Sequence, residues 1–160
     1  MGSRPNKENL AYIAGFLDGD GSIMLQVKKR SDTTRGWRIM ATICFYQDSR
    51  HSEPLNWIKE QLKIGYISKR NDGITEYRIN GFEKVHKILS ELLPYIKFKK
   101  NQTKAVIKTL DLLDNKEISK LSKADFENLI ENLLVVQNNN YQSSHKKTRS
   151  DLSKTFGLTP

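Results

Sequence analysis

Leu10, Ile13, Ala14 and Leu17 recur at the i, i+3, i+4, i+7 spacing of one helix face. Asn6 stands where it can cap that helix, Glu8 falls in its first turn, and Gly21 stops it. From Ser22 the period changes to two: Ile23, Leu25 and Val27 alternate with Ser22, Met24, Gln26 and Lys28. A polar turn, Ser31 to Gly36, follows. Then Trp37, Ile39, Ala41, Ile43 and Phe45 alternate with Arg38, Met40, Thr42 and Cys44. The pattern predicts an antiparallel hairpin with one apolar and one mainly polar face. Leu55 to Leu62 reads as a short amphipathic helix. The stretch "IGYISKRNDGITEYRING" reads as a second hairpin, with Asn71, Asp72 and Gly73 at its turn, where Asp-Gly tolerates positive φ. Phe82 to Leu93 is a helix ended by Pro94, and Tyr95 to Phe98 is short and extended. Asn101 to Asp114 and Lys123 to Gln137 are further helices. The expected organisation is a flexible start (1–5), one α+β domain (6–137) in which helices cover one sheet face, and a polar, basic tail (138–160) ordered only in part.

Composition adds a partner class. The 160 residues carry 27 Lys+Arg against 18 Asp+Glu, a net charge of +9. Charge of this sign favours a polyanion such as nucleic acid, though a solvated basic surface would look the same. The single cysteine, Cys44, excludes an internal disulfide and a cysteine-only metal site, and it fits a reducing, intracellular setting. No apolar run approaches the length of a membrane span, and nothing points to a small-molecule substrate.

The polar sheet face is the first candidate surface. Strand by strand it carries Ser22, Met24, Gln26, Lys28, Arg30, Arg38, Met40, Thr42, Cys44, Tyr66, Ser68, Arg70, Glu76 and Arg78. A two-stranded ribbon of such donors and acceptors fits a DNA major groove. The bland alternative is a solvated face. Residues 22 to 30 span eight steps, about 26 Å, the length of roughly eight base pairs.

The second candidate is "DGDGSI", Asp18 to Ile23. A calcium loop starting at Asp18 would need glycine at position six and glutamate at twelve. Ile23 and Lys29 stand there instead. Carboxylates at a helix C-terminus face the unfavourable end of the dipole, which makes more sense if one of them holds a cation. A hard ion such as Mg²⁺, with one or two carboxylates, waters and phosphate oxygens, matches Asp20. A second helical stripe, Ala11, Gly15 and Gly19, is made of small residues, and glycine inside a helix costs roughly 1 kcal/mol against alanine. Close approach of another backbone would explain it.

"IAGFLDGDG", Ile13 to Gly21, resembles the signature of the LAGLIDADG homing endonucleases, differing at its first, fourth, fifth and seventh positions. "FYQ" at Phe45 to Gln47 and "LLPYIKFKKNQ" at Leu92 to Gln102 agree too, so the resemblance covers about Asn6 to Leu134. A single motif in a chain of this length resembles the homodimeric, I-CreI-like subfamily. The resemblance implies a curved antiparallel sheet lying as a saddle on double-stranded DNA, in an αββαββα order with C-terminal helices. It implies that Asp20 holds the metal, aided by the Gly19 carbonyl, while Asp18 caps structure. Mg²⁺ is the implied ion, with Mn²⁺ an alternative and Ca²⁺ a non-cleaving substitute.

Gln47 resembles the family's water-ordering glutamine, and Lys99 the lysine that stabilises charge at the phosphate. Where relatives often place a basic pocket residue this chain has His51 beside Arg50, and the choice between them stays open. Lys97, Lys100, Lys104 and Lys108, with Lys146, Lys147 and Arg149 in the tail, would position phosphates. One carboxylate per chain implies a homodimer whose motif helices meet at Ala11, Gly15 and Gly19. Two half-sites would make a pseudo-palindromic target of about twenty base pairs. An organellar location is also implied. The alternatives within the resemblance are an intron RNA maturase and a DNA-binding protein without cleavage chemistry.

Overall fold

The computed structural model describes residues 4–140 and 145–158. Part of the expected flexible start, residues 1–3, lies outside them. Helix α1 (Lys7–Asp20) begins at Asn6, whose side chain accepts the Asn9 N–H at 2.8 Å. It passes without a loop into strand β1 (Gly21–Lys29), and β2 (Trp37–Asp48) returns alongside. After α2 (Glu53–Leu62) come β3 (Tyr66–Lys69) and β4 (Ile74–Asn80), then α3 (Phe82–Leu92), α4 (Lys100–Asn115), α5 (Lys123–Asn139) and α6 (Arg149–Thr155). Among the described residues no helix is long and apolar enough to cross a membrane.

The four strands form one antiparallel sheet in the order β1-β2-β4-β3. Register sorts the side chains by face. Ser22 stands beside Cys44, Cys44 beside Arg78, and Arg78 beside Tyr66, one row across all four strands. The opposite parity, with Ile23, Leu25, Ile43, Phe45, Tyr77 and Ile79, is buried under the helices. Ile13 and Leu17 of α1, Val85 and Leu89 of α3, and Leu129 and Leu133 of α5 complete that core. Phe16, Phe45 and Tyr77 stack in sequence, with centroids 6.1 and 5.5 Å apart. Gly21 is glycine for want of room: an added Cβ would lie 2.9 Å from the Cys44 carbonyl oxygen and 3.0 Å from Leu17 Cα.

Three local expectations differ from the structure. Strand β2 continues past Phe45 to Asp48, because the alternation persists through Tyr46 and Gln47. Tyr95 belongs to a 3-10 turn, Leu93–Tyr95, rather than to an extended segment. Pro94 sets a φ that suits such a turn and denies the helix its next hydrogen bond. Residues in the tail form α6, opened by a capping box between Thr148 and Asp151. Leu152 and Phe156 are buried, and the Phe156 ring lies 4.9 Å from that of Trp37. The same segment covers the free edge of β1: Asn140 Nδ2 donates to the Ile23 carbonyl at 3.0 Å, and Lys147 Nζ donates to that of Val27.

One long-range bond fixes where α1 ends. Asp18 is buried, and its carboxylate accepts the successive backbone N–H groups of Lys97 (2.6 Å), Phe98 (3.2 Å) and Lys99 (3.0 Å). Lys99 Nζ returns a hydrogen bond to the Asp18 carbonyl at 2.6 Å. The last turn of α1 is thereby tied to the segment that opens α4. Asp20, two residues on, is exposed and takes no part in this bond. Asp18→Asn therefore leaves buried N–H donors short of an acceptor and is expected to cost about 1–3 kcal/mol of stability. Asp20→Asn removes a carboxylate from the negative end of a helix and is expected to be neutral or stabilising by up to ~1 kcal/mol. Urea unfolding of the two variants distinguishes them, and equal losses would refute this division of roles.

Candidate functional site

The end of α1, the start of β1 and Lys99 border one cleft of about 840 Å³. Gly19 and Asp20 line it together with Ser22, Met24, Gln26 and Lys28 of β1 and Tyr46 of β2. Tyr46 hydroxyl and Ser22 Oγ are 2.9 Å apart. Burial pushes the Tyr46 phenol up to about 12, so it stays protonated at any working pH. Lys99 is half-buried. Burial pushes its ammonium below the usual lysine range, while the neighbouring Asp18 and Asp20 carboxylates act in the opposite sense. Asp20 and Lys99 thus come from distant parts of the chain to one place, and the Asp18 bond brings them there.

Among the described residues no cluster of three or more His, Cys, Asp or Glu side chains forms a closed metal cage. The Asp20 site is of the other kind, a single exposed carboxylate at a helix end. That donor set fits a Mg²⁺-like ion that keeps its waters and shares phosphate oxygens, and it does not fit a zinc-type site.

The polar sheet face is real but not uniformly accessible. Gln26, Lys28 and Arg38 are exposed, and Ser22, Met24, Met40 and Ser68 are half-exposed. Three residues expected to contact DNA are sunk into the sheet. Cys44 is fully buried, and its burial pushes the thiol up, away from the reactive thiolate. Thr42 is buried with its hydroxyl donated to Asn80 Oδ1 at 2.8 Å. Glu76 is buried between Arg70 and Arg78. Arg30 lies just beyond β1 and pairs with Asp32 in the turn. Tyr66 is exposed, and its hydroxyl accepts from Asn80 Nδ2 at 3.2 Å. Tyr46 and Asn80 share this face and were missed, although extending the same alternation by one step would have found both.

Gln47, Arg50 and His51 do not line the cleft. Gln47 shares the parity of Phe45 and pairs with Thr75, so it points to the helix side of the sheet. Its Oε1 accepts the Asp48 N–H at 3.0 Å, and it borders a separate groove with Tyr12, Phe16 and Trp57. Arg50 is exposed and donates to Asp48 through Nε (3.0 Å) and Nη2 (2.7 Å), which holds that carboxyl far below the usual range. His51 is exposed at the end of the 3-10 turn Ser49–His51. Lys97, Lys100 and Lys146 are exposed, whereas the Lys147 ammonium is occupied by the Val27 carbonyl and lies half-buried.

The small-residue stripe of α1 faces outward. Ala11, Gly15 and Gly19 are exposed, and a Cβ added at Gly15 or Gly19 would meet nothing within 4 Å. Packing inside the chain therefore gives no reason for either glycine. Beside the stripe Tyr12 is 66% exposed, and Phe98, at the Asp18 tether, is 85% exposed.

Comparison with known proteins places this arrangement. The family model of the LAGLIDADG endonucleases matches residues 13–119. DNA endonuclease I-CreI of Chlamydomonas reinhardtii is 30% identical over 113 residues, 71% of this chain and 69% of the relative. DNA endonuclease I-CvuI of Chlorella vulgaris is 33% identical over 105 residues, 66% of this chain and 65% of the relative. The crystal structure of the homing endonuclease I-CvuI in complex with its target in 2 mM Ca superposes with a TM-score of 0.78 at 26% identity, covering 97% of this chain and all (100%) of that one. An archaeal intron-encoded homing endonuclease, I-Vdi141I, complexed with DNA, shares the fold with a TM-score of 0.78 at 21% identity, covering 94% of this chain and 95% of that one. With its motif helix, its sheet and most of its length matched, this chain belongs to the LAGLIDADG endonuclease family.

Proposed function

We propose that the chain is a site-specific DNA homing endonuclease that acts as a homodimer and requires a divalent cation. The observation that carries this is the placement of exposed Asp20 beside Lys99 at the point where the polar ribbon of β1 begins. A phosphate backbone lying along the cleft would meet both groups while the sheet faces the bases. I-CvuI has been crystallised on DNA in Mg and in Ca, which supports the same ion class here. Asp20, with the Gly19 carbonyl, would hold Mg²⁺, or Mn²⁺ in its place, with Ca²⁺ as a non-cleaving substitute. Such an ion, when bound, neutralises charge on the scissile phosphate and lowers the pKa of water.

The chain's own groups do the rest. Lys99 Nζ, anchored on the Asp18 carbonyl, offers its remaining protons to the phosphate as negative charge builds there. Lys97 and Lys100 flank it and hold neighbouring phosphates. Gln47 is the group proposed to order water, and it would do so from the groove it shares with Tyr12 and Phe16, beside the open face of α1, rather than from the cleft. Between Arg50 and His51, both exposed, the pocket role remains with whichever turns toward the phosphate.

The homodimer reading rests on the open face of α1. A second copy related by a two-fold axis would bring glycine against glycine and would cover Tyr12 and Phe98. It would also supply the second carboxylate that cutting both strands demands. The target is then a pseudo-palindrome of about twenty base pairs.

Two experiments test this. Double-strand cleavage of a target selected from randomised DNA should require Mg²⁺, and Asp20→Asn should cut more than about a hundredfold slower while still binding. Undiminished cutting by Asp20→Asn would sink the assignment, and splicing of a cognate intron without cleavage would indicate a maturase instead. Gly15→Glu should convert a dimer to a monomer in sedimentation velocity without loss of thermal stability in the monomer. A wild-type chain that sediments as a monomer at micromolar concentration would overturn the dimer.

A further inference from the structure

One carboxylate on the sheet's polar face is buried where an acid looks out of place. Glu76 sits in the central strand β4 with its side chain only 10% exposed. A free carboxylate on a surface that faces phosphates would repel them. Both of its oxygens are instead occupied, and by different arginines. Oε1 accepts from Arg70 Nη1 at 3.0 Å, and Oε2 accepts from Arg78 Nε at 2.9 Å.

The two arginines are held in different ways. Arg70 gives Nη1 to Glu76 and Nη2 to Asp72, so the outer edge of its guanidinium is spent inside the protein. Arg78 gives Nε to Glu76, the Cys44 thiol lies against its guanidinium, and among the described residues no oxygen accepts a hydrogen bond from its Nη1 or Nη2. Its neighbours across the sheet are short, buried Cys44 on one side and Tyr66 on the other. A guanidinium gripped at Nε, with no oxygen of the protein on its terminal nitrogens, is oriented before any ligand arrives. That free edge matches the paired acceptors O6 and N7 of guanine in a major groove. The four groups also sum to zero charge, two arginines against Glu76 and Asp72. This corner of a basic face therefore contributes little to sequence-independent phosphate attraction.

We infer that Glu76 is a positioning residue that holds Arg78 as a guanine-reading side chain, with Arg70 and Asp72 bracing the carboxylate. The inference deepens the DNA-reading role proposed for the sheet and rests on it. Direct reading of a base by Glu76 itself, as an acceptor from cytosine N4, is disfavoured because neither oxygen is free. Arg78 lies in the same row as Ser22, two residues from Asp20, so the guanine it reads belongs to the part of each half-site nearest the cut.

The test is selection of bound duplexes from a randomised pool, followed by sequencing, for the full chain and two variants. Arg78→Lys keeps the charge and loses the planar fork, on a partly exposed side chain where folding is not at stake. Glu76→Gln keeps the shape and loosens the grip on both arginines. Each should reduce preference for guanine about tenfold or more at one and the same position of the half-site. Preferences elsewhere should persist. Glu76→Gln should also bind unselected DNA more tightly at low salt, because the corner gains a net positive charge. An unchanged guanine preference in Arg78→Lys overturns the inference, as does loss at different positions in the two variants. Loss of a cytosine preference in Glu76→Gln alone would assign the reading to the carboxylate. A parent chain that selects no sequence at all would instead refute the DNA-reading function on which the inference stands.

Discussion

The bond between Asp18 and the three N–H groups ahead of α4 is the constraint on which the candidate site depends. A carboxylate buried against consecutive backbone donors is satisfied only if donors and acceptor stay in register. It crosses about eighty residues of chain, from Asp18 to Lys97, Phe98 and Lys99. It adds to the core packing of α1 a polar tie that sets the end of the helix directly against Lys99, and so places Asp20 beside that lysine. The two aspartates of one motif thus divide architecture from chemistry. Sequence position makes them look equivalent, and burial separates them.

The second constraint is the strict period of two in the sheet. It gives one face to the core, where Phe16, Phe45 and Tyr77 stack, and the other to polar groups. A strand cannot serve both faces with one residue. Gln47 shows this: one step beyond Tyr46, it falls on the helix side and borders a different groove from its neighbour. The same rule sends Cys44 and Thr42 to the polar face, yet both stay buried because longer neighbours such as Arg78, Met40 and Tyr46 close over short side chains in the middle of a sheet.

Much of this was legible in the sequence, for reasons that can be named. The motif helix, both hairpins and the facing of their residues follow from period and turn chemistry, which are local. The region from Ile13 onward also carries the family signature. Other features depend on distance in space. Helix α6 has only Leu152 inside it and Phe156 just after it as anchors, too few to mark a period, and its burial depends on Trp37 and Phe126. The occupation of Lys147 by a strand carbonyl far away in the chain has no local signal. Charge patterning offers Lys147 as a free cation, and only the fold reveals that one of its protons is already given to the Val27 carbonyl.

That last contact has a temporal meaning. Strand β1 is made before the other three strands, and among the described residues its outer edge is one of the two sides of the sheet without a strand partner. The groups that cover this edge, Asn140 and Lys147, are synthesised more than a hundred residues later. While the chain is still being made, the sheet carries an open row of carbonyls and N–H groups, the kind of template on which another strand can pair. Completion of the segment that carries Asn140 and Lys147 is therefore also the moment at which this edge of the sheet stops being available to a neighbour emerging from the same messenger.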